Sequence, residues 1–416
     1  MTPLVLAALA TAITACGAKT GLDTPDVEVV DVVDATDVTD VHEPRICLEP
    51  QPDAGFYRVN LRTNAQVAVA DVLFVIDRTG SMDQEIDNVR QGLRTVIVPG
   101  LIHSIPDLSL GLVTYADFPI DPYGAPDDRP FSLERSMSSQ FTALQGAIAN
   151  VQANGGGDNP EAMVEALYQV ATGEGLQPYI PAAGACPTLG VGYACFRPRA
   201  QPVIVVITDA PMHNGPVSAG DSHPYDRTSF APFSPPHTYA EMISRLTTSL
   251  RPRVIGINSG LEPFSGRRDL EQLARDTGTL GSNGAPLVFD IGPDGSGLSE
   301  QVVSAIQRLT AEVRLNSVAA RAVDDGGGGA LLVRGVRPVA ATPMSQIDHL
   351  DDTAFYNVVP GTRLDFELLL DQNLIVPGPT ERHFVVHIEF LNDGRPTLGT
   401  QDVEIVIPAR GQMCVP

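Results

Sequence analysis

Residues 71–82 read "DVLFVIDRTGSM". Val72 to Ile76 form an unbroken apolar run, the pattern of a strand buried on both faces. The run stops on Asp77, and Thr79 and Ser81 follow at alternate positions with Gly80 between them. A buried strand that ends by presenting one carboxylate and two hydroxyls together calls for a chemical reason.

The neighbouring sequence supplies the frame. Further strand patterns lie at 108–115 ("LSLGLVTY"), 202–209 ("PVIVVITD"), 253–259 ("RVIGINS") and 286–291 ("PLVFDI"). Helical patterns separate them at 83–98, 141–153, 160–171, 239–250, 269–278 and 298–313. Alternating β and α elements predict an α/β fold, a doubly wound, mainly parallel, Rossmann-like sheet with helices on both faces. Ligands of such sheets bind beyond the carboxyl ends of the strands. Asp77 closes one strand there, and Asp209 closes another in "ITDAPMHN". A third acidic loop, "NGGGDNPEAM" (154–163), adds Asp158 and Glu161, with Pro160 expected in the first helical turn. Carboxylates gathered without a basic partner repel one another, and a hard divalent cation removes that conflict. Mg²⁺ suits the oxygen donors, with Ca²⁺ or Mn²⁺ as alternatives.

These three loops carry a resemblance. "DRTGSM" resembles the DxSxS loop of von Willebrand factor A (VWA) domains, which forms their metal-ion-dependent adhesion site, with Thr79 keeping the middle hydroxyl. "ITDAPMH" is similar to the family's later TDA turn, and "DNPE" (158–161) to the D-x-P-E turn of integrin β subunits. The resemblance spans about 71–314. It implies a metal held by Asp77, Thr79, Ser81, Glu161 and Asp209, with an open position for a partner's carboxylate and a second metal possible at Asp158. The chain also departs from the integrin pattern. Gln84 and Glu85 stand where that family has two aspartates, so the neighbouring inhibitory site is expected to be incomplete, and Gly156 replaces an asparagine. If the metal were lost, Thr79 and Ser81 would remain as caps of the helix beginning near Asp83.

Beyond residue 314 the apolar period changes from 3.6 to 2. Leu364, Phe366 and Leu368 share one face, as do Phe384, Val386, Ile388 and Phe390, and Val403, Ile405 and Ile407. Turns at Pro360-Gly361 and Asn392-Asp393-Gly394 separate these strands, which predicts an all-β, antiparallel sandwich over 315–416. His383 and His387 fall on its solvent face. The stretch 56–70, "FYRVNLRTNAQVAVA", also reads as strand, so residues 46–70 are expected to contribute to the sandwich. Integrin β subunits insert their VWA domain into such a sandwich, the hybrid domain, and this half resembles it in topology.

The chain has 416 residues with 50 acidic and 27 basic side chains, a balance that argues against nucleic acid as a partner. Its only lysine is Lys19, so neither a Walker-type phosphate loop nor Schiff-base chemistry is available beyond that point. No nucleophile elbow or HExxH motif occurs, and the chain does not read as an enzyme. "PLVLAALATAITA" (3–15) is uncharged, too short to span a bilayer and of signal-peptide length. It leads into Ile13-Thr14-Ala15-Cys16, which resembles a bacterial lipobox, although no basic residue precedes it. The resemblance implies a lipoprotein signal peptide (1–15) and acylation of Cys16. The protein would then be exported and lipid-anchored to the bacterial cell envelope, at the outer membrane or cell surface, touching membrane only through that anchor. Residues 16–45 then form an acidic disordered tether, with eight acidic residues from Asp23 to Glu43.

The four remaining cysteines allow three pairings in an oxidising compartment. The short separation of Cys186 and Cys195 favours a local loop, which leaves Cys47 with Cys414. The combined expectation is a surface-tethered, cation-dependent adhesion protein that engages a partner carboxylate. The alternative is a VWA scaffold subunit associated with a secreted enzyme or complex.

Overall fold

The computed structural model describes residues 45–49 and 55–414. The signal-like segment, Cys16 and the acidic stretch to residue 44 lie outside the described residues. The first two strands, β1 (Arg45–Cys47) and β2 (Phe56–Asn64), belong to sheets completed by the far end of the chain. β2 ends at Asn64, short of the predicted residue 70. The backbone turns there, with the Gln66 amide donating to Asn64 O at 2.8 Å and the Ala65 amide to Thr362 O at 2.9 Å.

The α/β half begins with β3 (Val69–Asp77), α1 (Asp83–Gly92) and α2 (Val98–Ser104), the two helices being joined by one π turn. It continues with β4 (Asp107–Tyr115), β5 (Ser132–Ser138), α3 (Phe141–Asn150) and α4 (Met163–Thr172). β6 (Gln201–Thr208), α5 (Tyr239–Arg245), β7 (Arg253–Asn258), α6 (Arg267–Asp276), β8 (Val288–Asp290) and α7 (Leu298–Glu312) complete it. The strand order is β5-β4-β3-β6-β7-β8, parallel except for β5. The sheet is therefore mixed.

Side-chain alternation divides the core. Leu73 and Val75 of β3 pack with α4, α5 and α6, whereas Val72, Phe74 and Ile76 pack with α1, α2, α3 and α7. Both faces are covered, which is why β3 reads as a continuous apolar run. α4 starts at Met163, not at Pro160. Glu161 instead forms a parallel bridge with Met212, because its amide donates to Pro211 O at 3.0 Å and its carbonyl accepts from the His213 amide at 2.9 Å.

The β half adds β9 (Leu315–Val323), β10 (Val333–Thr342), β11 (His349–Leu350) and β12 (Phe355–Val358). It ends with β13 (Arg363–Asp371), β14 (Arg382–Asn392) and β15 (Thr400–Ile407). Two sheets form, β1-β15-β14-β9-β12-β11 and β10-β13-β2. Both contribute to one apolar core containing Leu61, Phe355, Leu364, Phe366, Leu368, Val386, Ile388, Val403 and Ile405. Strictly antiparallel pairing was expected, but β1 runs parallel to β15. His383 and His387 face outward, between Glu381 and Glu404 and between Asp325 and Asp402 respectively.

Disulfides join Cys47 to Cys414 and Cys186 to Cys195. No helix among the described residues is long and apolar enough to cross a membrane. The two disulfides suit an extracellular, oxidising environment.

Candidate metal centre

Asp77, the last residue of β3, is fully buried. Its Oδ1 accepts from the Thr79 amide at 3.0 Å and from Thr79 Oγ1 at 2.7 Å, a local turn typical of aspartate. Its Oδ2 accepts from Thr208 Oγ1 at 2.8 Å. Thr79 Oγ1 lies 3.3 Å from Ser81 Oγ, and Ser81 is exposed. Neither hydroxyl caps the helix that follows. Thr79 is turned to the Asp77 carboxylate and Ser81 to the Thr79 hydroxyl instead, so helix capping does not account for their presence.

The glycine loop closes over this turn. The Gly80 amide donates to Gly155 O at 3.3 Å, and the Asn154 amide to Arg78 O at 2.9 Å. Gly155 and Gly156 both have φ of 86°, a region that favours glycine. A Cβ on Gly156 would stand 3.4 Å from Glu161 Oε1 and 3.5 Å from the Thr79 Cβ, so the Glu161 carboxylate sits against the Thr79 turn. Asp128 props the glycine loop: its Oδ2 accepts from the Gly156 amide at 2.8 Å and the Ala125 amide at 2.7 Å.

The electrostatics follow from burial and crowding. Burial, then the charge of Asp209, pushes the Asp77 carboxyl up to about 7, against the hydrogen bonds of Thr79 and Thr208. Burial, then Asp77, Asp117, Asp158 and Asp128, pushes Glu161 up to about 12. Glu161 is 3% exposed, and its Oε2 has no hydrogen-bond partner. Burial also raises Asp209, while the Ser81 hydroxyl pulls it down. Asp77, Thr79 and Ser81 thus share one turn at the carboxyl edge of the sheet, Glu161 stands against it, and the charge of Asp209 acts on Asp77. An orphaned, buried carboxylate oxygen among other carboxylates is the environment a hard cation fits.

A second cluster stands beside the first. One ligand atom from each of Asp117, Asp158 and His213 lies within 4.8 Å of the others, and this buried group could hold a metal ion. His213 Nε2 is 3.2 Å from Asp158 Oδ1 and 3.3 Å from Asp117 Oδ2. Its Nδ1 lies 2.7 Å from the carbonyl of His223. A carbonyl only accepts, so Nδ1 carries the proton and donates, leaving Nε2 to face both carboxylates. Either a second proton or a cation must lie between them. Asp117 Oδ1 accepts from Tyr225 Oη at 2.6 Å, and burial pushes its carboxyl up to about 7, opposed by His213.

The sequence reading placed Asp158 at a possible second metal but missed Asp117 and His213. Both follow strand ends, Asp117 two residues beyond β4 and His213 inside the "TDAPMH" turn. Loop position was the available signal. Glu85 is also buried, with Oε2 unpartnered, and its carboxyl is raised by burial, against the Ser259 hydroxyl.

Residues 71–174 match the family described as "von Willebrand factor A domain". The α/β half has a VWA-like fold. The match ends before Asp209. Among curated proteins, the chain is similar to the alpha-protein kinase vwkA of Dictyostelium discoideum, with 26% identity over 157 residues, 37% of this chain and 20% of that protein. The chain thus spans a fifth of the length of the curated relative it matches. Among solved structures it is similar to von Willebrand factor type A from Catenulispora acidiphila (TM-score 0.37, 14% identity, covering 87% of this chain and 76% of that one). It is also similar to the pilus adhesin SpaC from Lactobacillus rhamnosus GG, open conformation (TM-score 0.35, 11% identity, covering 91% of this chain and 49% of that one).

Proposed function

We propose that this is a surface-tethered binding protein whose VWA-like half engages a partner carboxylate through a divalent cation held by Asp77, Thr79, Ser81, Glu161 and Asp209. The observation that carries the reading is Glu161 Oε2, buried and unpartnered beside four other acidic side chains. With Mg²⁺ bound, or Ca²⁺ or Mn²⁺, the site supplies a positive charge towards solvent. The residues have distinct tasks. Thr79 and Ser81 contribute neutral oxygens, so the net positive charge is retained. Asp77 anchors the loop through three hydrogen bonds. Glu161 closes the site from the glycine loop. Asp117, Asp158 and His213 would hold a neighbouring cation that fixes the same loop.

The tether belongs to this reading as well: a lipid on Cys16, an acidic spacer, and no membrane contact beyond the anchor. The β half is read as an integrin hybrid-like sandwich that receives the α/β half as an insertion. Support comes from strands drawn from both flanks and from the Cys47–Cys414 link. Binding rather than catalysis is the proposed activity.

Short immobilised peptides that differ only in one Glu or Gln test the proposal. Capture is expected to require both Mg²⁺ and the carboxylate. Capture indifferent to chelator, or equal for the Gln peptides, would contradict it.

A further inference from the structure

At the end of the α/β sheet opposite the candidate metal centre, a cavity of about 180 Å³ lies between the two halves. Its lining includes Arg251 and Arg253 from the α/β half and Asn392, Asp393 and Arg395 from the β14 turn. Three guanidiniums share one small space in a chain of net charge −23. Some arginines elsewhere meet carboxylates, as Arg62 does Asp365 and Arg337 does Glu367.

Among the described residues these three form no ion pair within 4.0 Å, although the charge of Asp393 acts on Arg253 and Arg395. Arg253 donates to the carbonyls of Gly278 at 2.8 Å and Arg314 at 3.4 Å, and Arg395 donates to Leu250 O at 2.7 Å. Arg251, exposed and at φ 52°, makes no hydrogen bond through its side chain.

The two acids at the cavity are turned to other donors. Asp276 accepts from Tyr239 Oη at 2.9 Å and Gln272 Nε2 at 2.9 Å. Asp393 accepts from Asn316 Nδ2 at 2.8 Å and Ser317 Oγ at 3.2 Å. Burial lowers Arg253, and burial together with the charge of Arg251 lowers Arg395; the charge of Asp393 opposes both shifts without cancelling them. Asn392 is 2% exposed, and its Oδ1 has no partner, so an acceptor also waits at the wall.

We propose that this cavity binds a tetrahedral oxyanion, phosphate or sulfate, free or as the end group of a larger molecule. Arg251 and Arg395 grip it from opposite halves, Arg253 meets it from between them, and the O–H of a monoprotonated phosphate or of a hydroxyl on an attached group donates to Asn392 Oδ1. The planar guanidinium fork matches such oxygens in pairs. A bound anion would brace the junction, where Asn392 Nδ2 already donates to Gln201 Oε1 at 3.2 Å and Arg199 pairs with Glu389.

The test is calorimetric titration of the full chain in divalent-free chloride buffer at fixed ionic strength, with inorganic phosphate, sulfate and glycerol phosphate as probes. Saturable uptake near one anion per chain is expected, weakened at least about tenfold in Arg251→Gln. The Arg251 side chain makes no hydrogen bond or ion pair among the described residues, so that variant retains the fold. Tighter binding of glycerol phosphate would identify an end group as the source, and tighter binding of an inorganic anion the free ion. No saturable heat at millimolar probe, or equal heat in Arg251→Gln, overturns the proposal. Divalent-free conditions make this outcome independent of the metal centre.

Discussion

Asp77 carries the residue-scale account because it performs two tasks at once. As an acceptor it holds Thr79 and Thr208, and as a charge it adds to a crowded acidic cluster. Asp77→Ala would leave both hydroxyls without their acceptor, costing about 1–3 kcal/mol, partly offset by relieved repulsion. Asp77→Asn keeps an oxygen at the site and removes the charge. The expected result is a folded variant, with near-wild-type circular dichroism, that takes up no cation at the main site. The acid shift also sets a pH dependence. Folding raises the Asp77 carboxyl from 3.8 to about 7, so the folded state favours its neutral form. The associated stability is fully present below 3.8 and is lost as pH rises through about 7. Metal-free protein should therefore lose part of its thermal stability between pH 4 and 7. Divalent cation should reverse that loss, because it binds the ionised form. Thermal scans across that range, with and without Mg²⁺, measure both effects.

At the scale of elements, the glycine loop before α4 decides whether Glu161 and Asp158 reach the site. A Cβ on Gly157 would lie 2.4 Å from Pro122 O and 2.7 Å from Tyr123 O, both of them backbone atoms that cannot step aside cheaply. Gly157→Ala is expected to cost about 1–3 kcal/mol and to weaken cation uptake as the loop shifts. Denaturant unfolding and metal titration of the variant check the two parts separately. The same loop shows how far the sequence could be read. β3, β4, β6 and β7 were legible because burial on both sheet faces leaves continuous apolar runs. The positions of Asp77, Thr79, Ser81 and Asp209 at the carboxyl edge were legible because each ends or closely follows a strand. β5 was not legible: "SLERSMS" is a half-buried edge strand with little apolar alternation. β9 and β10 were missed for a similar reason, being only partly buried along their length. Asp117 and His213 meet only through folding, from loops that follow different strands, and no spacing in the chain announces such a pair.

On the scale of the whole molecule, the chain's two ends hold one structure. β1 lies on β15, β2 on β13, and Cys47–Cys414 closes a separation of 367 residues. Replacing both cysteines with serine should cost about 2–5 kcal/mol while leaving cation uptake unchanged, since the bridge lies in the β half. Parallel chemical denaturation and metal titration would show that separation of effects. Whether the acidic cluster at the sheet edge holds a cation is tested most directly by thermal unfolding at pH 7 as Mg²⁺ is added to chelator-treated protein. The expected midpoint rises saturably in the wild type, falls back with EDTA, and stays flat across the titration in Asp77→Asn. A wild-type midpoint that stays flat through millimolar Mg²⁺, Ca²⁺ and Mn²⁺ would contradict it.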